Sequence, residues 1–427
     1  MKSVRSRLMI GSWACYDFAN SPFTTLVLTF VYATYFTQAI ATDPITGTVL
    51  WSRAIALSAL IAGVCSPILG FFADRLGYRK NWLIFFTVMC AAATVGLYGV
   101  LPGQVTTALI LIVIANTAYE LAMVFYNAFL PDITPVERIG RISGYGWGLG
   151  YLGGLLVLIF VLIAFVQPDV PWFGVTKIDG QNIRVTNVVV AAWLVVFSVP
   201  FVLWVPEVKP SISHRKIHFL SSLSQLQITF RRILKFKEVC RFLMARFIFN
   251  NGLVTIFLFG GIYAAESFGF TLQEVLIFGI ALNVTAGFGA FLMGYLDDLF
   301  GGKKTIIISL VGLILAVALA VLTSSKLMLW VSGMVIGVFS GPNQSASRSL
   351  MARLVPSDSQ AQFFGFYAFS GKFTAFLGPL LFGIVTQWTG SQRWGLSVVL
   401  VMLFLGMLIM LPLDEHKGMA RVGRVLS

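Results

Sequence analysis

The sequence predicts an all-α integral membrane protein of twelve transmembrane helices, arranged as two six-helix bundles. Composition, the spacing of the apolar runs and a loop written twice carry that expectation. Of the 427 residues, 58% are hydrophobic and 11% charged, whereas a soluble domain carries about a quarter charged side chains. With a mean hydropathy of +0.87, so little polar surface cannot coat a soluble globule of this size. Apolar runs of about 20 residues, the length that crosses a ~30 Å hydrocarbon core, recur along the whole chain. Their interiors lack the alternation of barrel strands, so they read as helices, which satisfy their own backbone polar groups.

Spans are expected at Ser12–Ile40, Trp51–Phe72, Trp82–Leu101, Thr106–Phe129, Ile142–Val166 and Asn187–Val205, making an N-terminal bundle over residues 1–205. Residues 206–241 form a cytoplasmic linker. In it Phe219, Leu223, Leu226, Phe230 and Ile233 make an apolar stripe beside Arg231, Arg232, Lys235 and Lys237, which suits an amphipathic helix on the inner leaflet. Six further spans, Phe242–Ala264, Gln273–Leu296, Thr305–Leu322, Leu327–Ser349, Phe363–Thr386 and Trp394–Leu411, make a C-terminal bundle with a tail over residues 242–427.

An even number of spans puts both termini on one side. That side collects Lys2, Arg5, Arg7, Arg75, Arg79, Lys80, Arg138, Arg141, the basic linker, Lys303, Lys304, Arg348, Arg353, Lys417, Arg421 and Arg424. The other side has Arg53, Lys177, Arg184, Lys326 and Arg393, so the positive-inside rule places both ends in the cytoplasm of a cell (inner) membrane. The net charge of +13 is then topological bias plus attraction to anionic lipid, with no basic soluble domain to bind nucleic acid. The first apolar run is too long, and too charged at Asp17, for a cleaved signal peptide. Cys15, Cys65, Cys90 and Cys240 suggest neither a disulfide nor a thiolate metal site. His214 and His218 have zinc-like spacing without a third ligand, and His416 is alone, so no metal and no cofactor is expected.

Gly70–Lys80 reads GFFADRLGYRK and Gly294–Lys304 reads GYLDDLFGGKK. Gly70 matches Gly294, Asp74 matches Asp298, Gly77 matches Gly301, Arg79 matches Lys303 and Lys80 matches Lys304, all at one offset; Arg75 adds a further charge to the first copy. Each copy supplies a small residue for close helix packing, an acid able to face a helix N-terminus, a turn glycine and retaining cations. A turn with topogenic charge explains one copy; it does not explain two in register.

This loop resembles the signature of the major facilitator superfamily, whose two six-helix halves are related by a pseudo-two-fold axis around a central cavity. The resemblance implies that Asp74 steadies the contact between halves and releases it during alternating access. Four stretches resemble the vacuole-effluxer-like branch: YDFANSPF in span one, FYNAFLPDI (Phe125–Ile133), GPNQSASRSLMARLVP (Gly341–Pro356) and FGFYAFSGKFTAFLGPLLFG (Phe364–Gly383). Fungal members of that branch are associated with export of neutral amino acids from the vacuole. Asn251 stands where the pattern carries an acid, and Phe18 where it carries tryptophan.

Four ionisable residues fall inside spans: Asp17 and Glu120 in the first half, Arg246 and Lys372 in the second. Such groups face a bundle interior or a wet cavity and find partners. Asp17, Asn20, Ser21 and Thr24 share one helical face, with Pro22 available to kink it. Asn116, Tyr119, Tyr126 and Asn127 in span four, Asn250, Asn251 and Asn283 in spans seven and eight, and Asn343 and Gln344 in span ten complete a candidate polar lining. Two readings stand open. In one, the four charges bracket a zwitterion, and a desolvated Glu120 is the better proton carrier; in the other, they pair and latch one conformation. The glycines of span five (Gly144 to Gly154) and span eleven (Gly371, Gly378, Gly383) suit close helix packing.

No histidine lies in a span and no nucleophile has a base beside it, so an enzyme is not expected. The functional expectation is a secondary carrier of a small polar solute, a neutral amino acid first, exported and proton-linked, working as a monomer in contact with membrane lipid. The alternatives are a non-transporting sensor or assembly subunit on a carrier scaffold, or an exporter of another small metabolite or drug.

Overall fold

A computed structural model describes residues 2–207, 234–373 and 375–424. The linker stripe from Phe219 to Ile233, with Arg231, Arg232, His214 and His218, lies outside the described residues. Those described are helical, with no strand among them. Among the described residues eleven helices are long and apolar enough to cross a membrane. The remaining expected span, helix ten, runs Lys326–Leu354 and matches them in length with 29 residues. It is too polar to pass as a lipid-exposed run, and burial explains why that is tolerated. From Ser340 to Leu354 every side chain except that of Gln344 is buried against protein.

Three helices depart from the expected regular spans. Helix one is α-helical over Lys2–Pro22, then opens into π-helical turns at Phe23–Phe30 and Phe36–Ile40. Pro22 has no N–H to give the carbonyl of Phe18 four residues back. The Trp193 indole supplies the donor instead, at 3.0 Å, with its ring 5.1 Å from that of Phe18. Helix five likewise ends in a π turn, Leu162–Val166.

Span eleven is a correction. Expected as one helix, it is α-helical over Gln360–Lys372 and again over Leu377–Thr389. Between them Ala375 bonds back three residues, to Lys372, rather than four. Pro379 then falls in the first turn of the second piece, where its missing N–H costs nothing.

Packing divides the chain into two units. The first is Met1–Cys65, Tyr78–Tyr126 and Leu149–Lys209; the second is Ser66–Gly77, Asn127–Gly148 and Pro210–Ser427. In the first unit, Trp13 stacks on Tyr126 at 4.6 Å and Phe86 on Phe125 at 6.0 Å. Helix five presses on helix one so closely that a Cβ on Gly153 would stand 2.4 Å from the Phe18 carbonyl. In the second unit, Gly289 and Gly341 let helices eight and ten touch backbone to backbone.

Candidate functional site

In the first unit, Asp17 and Asn20 are 5% and 2% exposed. The Asn20 amide donates to the Tyr16 carbonyl at 2.8 Å and reaches Met123 Sδ at 3.4 Å. Both Asp17 and Glu120 lie within electrostatic reach of the Tyr119 hydroxyl. That residue's ring packs against Phe23 at 5.3 Å, and the Tyr16 hydroxyl meets Thr87 at 2.7 Å. The unit therefore gathers two carboxylates among tyrosines, as the depth of these residues in the sequence suggests. Asn116 lies apart, its amide donating to Ser58 at 2.6 Å.

In the second unit, Arg246, Asn250, Gln344, Tyr367, Ser370 and Gly371 form one cluster beside the interruption of span eleven. Arg246 Nη1 donates to the Tyr367 carbonyl at 2.7 Å and to the Ser370 hydroxyl at 3.0 Å. Its guanidinium lies 3.7 Å from the Tyr367 ring centroid. Asn250 donates to the Gly371 carbonyl at 3.2 Å, and Gln344 reaches Asn250 at 3.5 Å. Lys372, the last residue of the first piece, is half-buried.

Asn343 and Asn251, both expected in the lining, also go elsewhere. Asn343 is fully buried and donates to Ser309 of helix nine at 3.0 Å, so it braces helices rather than joining the Arg246 cluster. Asn251 donates to the Phe247 carbonyl at 2.6 Å and accepts from Gly378 N–H at 3.4 Å. It ties helix seven to the second piece of span eleven.

The repeated loops make a second constellation, which lies in the second unit except for Arg79 and Lys80. Asp74 accepts from Ala361 N–H at 3.0 Å and Gln362 N–H at 2.8 Å, the start of span eleven. Asp298 accepts from Gly140 N–H at 2.8 Å, the start of helix five, and pairs with Arg141 at 2.5 Å. Carboxylates at helix N-termini complement the orphan N–H groups and the dipole. Gly77 and Gly301 hold φ of 73° and 89°, the left-handed region their turns require. Gly70 lets helix two close on span eleven, since a Cβ there would stand 2.3 Å from the Ala361 carbonyl. Arg75 is exposed over the Phe71 ring, whereas Arg79 is buried.

Sequence reasoning missed several partners. Arg353, counted there as topogenic, is a buried hub: Asp297 stands at 2.5 Å, Glu415 at 3.3 Å and Asp298 at 3.5 Å. Ser349 also donates to Asp297. Arg348 donates to the Ser143 carbonyl at 2.7 Å and hydroxyl at 2.9 Å. Gln360 donates to Asp132 at 2.8 Å. Glu415 accepts from Gly302 and Lys303 N–H at 3.1 and 2.8 Å, starting helix nine. In the first unit Glu207 does the same for Lys80 N–H of helix three, at 3.0 Å. The signal was available: Glu207 and Glu415 follow spans six and twelve, as Asp74 and Asp298 follow two and eight.

The sequence profile of the family described as "Vacuole effluxer Atg22 like" matches residues 45–423. The "Uncharacterized MFS-type transporter YxiO" of Bacillus subtilis is 28% identical over 412 residues, 95% of each chain. "Autophagy-related protein 22" of Coccidioides immitis is 23% identical, covering 85% of this chain and 72% of its own. Among solved structures, the proton:xylose symporter XylE superposes with a TM-score of 0.77 at 15% identity over 98% of both chains. The human organic anion transporter MFSD10 gives 0.74 at 14% identity, covering 95% of this chain and 99% of its own. At such identities the structural likeness speaks for the fold alone.

Proposed function

The chain belongs to the Atg22-like vacuole effluxer family, within the major facilitator superfamily of transporters, and on that premise we propose a secondary active carrier of a small polar solute. A neutral amino acid is the first solute class, moved outward through a cell membrane with both termini cytoplasmic. Protons are the coupling ion, with Glu120 as their carrier, and a single chain is the working unit. The N-terminal bundle (1–205) and C-terminal bundle (242–427) are the bodies that rock.

The observation that supports this most is the pair of repeat-related caps. Asp74 and Asp298 each bind the N-terminus of a helix drawn from the other half of the sequence. A charge-assisted hydrogen bond contributes about 1.5–3 kcal/mol. A handful of them is comparable to the ~5.5 kcal/mol of differential binding that carries a two-state equilibrium from 1:99 to 99:1. The latch is thus strong enough to hold one state and weak enough for a solute to release.

Counterflow in proteoliposomes tests the reading. Neutral amino acids should exchange, and Asp17→Asn and Glu120→Gln should reduce exchange. Undiminished exchange in both variants removes those two residues from the site. Absence of exchange with any solute would favour the sensor alternative.

A further inference from the structure

Arg246 is a buried cation with one edge bare. It is 7% exposed, yet its hydrogen bonds all leave from Nη1. Nε is buried without a hydrogen-bond partner, and among the described residues nothing accepts from Nη2 and no carboxylate stands within ion-pair distance. Nε–H and Nη2–H point the same way. Together they form an edge that matches the two oxygens of a carboxylate. An arginine in a protein does not shed its proton, so a buried Nε–H without an acceptor is a cost that an anionic occupant of this edge removes.

We infer that the Nε/Nη2 edge of Arg246 is an oxyanion subsite that takes the carboxylate of the transported solute, an inference that rests on the carrier reading above. The surroundings position the fork. The Tyr367 carbonyl and Ser370 hydroxyl anchor the opposite nitrogen, and the Tyr367 ring fixes the guanidinium plane. Gly371 leaves the room: a Cβ there would stand 2.5 Å from Nη1 and 2.9 Å from Nη2. Asn250 lies one helical turn beyond Arg246, and its 3.5 Å contact with Gln344 leaves both amides capacity for a polar ligand. A role confined to capping the Tyr367 carbonyl accounts for Nη1 alone and gives no reason to bury a bare Nε–H.

The test is counterflow by the full-length protein in liposomes. A panel of neutral amino acids and propionate is compared with the corresponding amides, and folding is followed by thermal unfolding. Wild type should exchange acids at least about tenfold faster than their amides, the discrimination that loss of a charge-assisted bond produces. In Arg246→Gln that preference should collapse to about unity, in Arg246→Lys it should persist in part, and Gly371→Ala should behave like Arg246→Gln. Equal exchange of acids and amides by wild type, which needs no variant to fold, overturns the subsite and leaves the carrier standing. So does a preference unchanged in a folded Arg246→Gln. No exchange of either class overturns the carrier reading and the subsite with it.

Discussion

Pro22 shows how one residue's missing hydrogen is answered from another helix. The Phe18 carbonyl it leaves open accepts the Trp193 indole N–H at 3.0 Å. Trp193→Phe should therefore cost about 1 kcal/mol in thermal unfolding, the net worth of one such bond. In a Pro22→Ala background the restored backbone N–H takes over, so the same substitution should cost markedly less. A double-mutant cycle with no coupling would dismiss the account. Residues of this kind divide by what the sequence makes visible. Asp17 and Glu120 are legible because their depth in apolar runs is legible. That Asn343 spends itself on Ser309, and Asn251 on Gly378, is not, because helix rotation decides it and polar residues are too sparse in these spans to define a face.

Span eleven carries the same lesson at the level of the element. Its glycines and Pro379 are plain in the sequence, but prolines inside membrane helices are commonly absorbed as kinks. Here groups freed by the interruption find partners on helix seven: Gly371 carbonyl with Asn250, Gly378 N–H with Asn251. The interruption is thus paired in two places, and those partners were invisible before packing was known. Asn251→Ala should lose the last of them and faster amide exchange should appear over Leu377–Thr389. Pro379→Ala should act in the same direction but less, because it frees a φ fixed at a compatible position and returns only a first-turn N–H. Unchanged exchange in both variants would show that helix seven does not brace this segment.

For the molecule as a whole, twelve spans and a duplicated loop were readable because lipid imposes length and composition on every helix, and a repeat announces itself. Helix ten is the exception that packing explains. It is polar because it carries Arg353 into a buried charge network and Arg348 to Ser143 of helix five. Around Arg353 the ledger of charge is uneven. Arg141 and Arg353 face Asp297, Asp298 and Glu415, two cations against three carboxylates. The N-terminus of helix nine supplies the remaining positive potential, through Gly302 and Lys303 N–H on Glu415. Removing the hub leaves buried carboxylates facing one another. Arg353→Met should then lower stability by about 3–5 kcal/mol, as breaking a buried pair does. Asp297→Asn added to it should recover a substantial part, because the Ser349 hydroxyl has room to serve the amide as it serves the carboxylate. Chemical unfolding of the single and double variants measures both numbers. A double variant less stable than Arg353→Met would mean that Asp297 is stabilised by something other than this arginine.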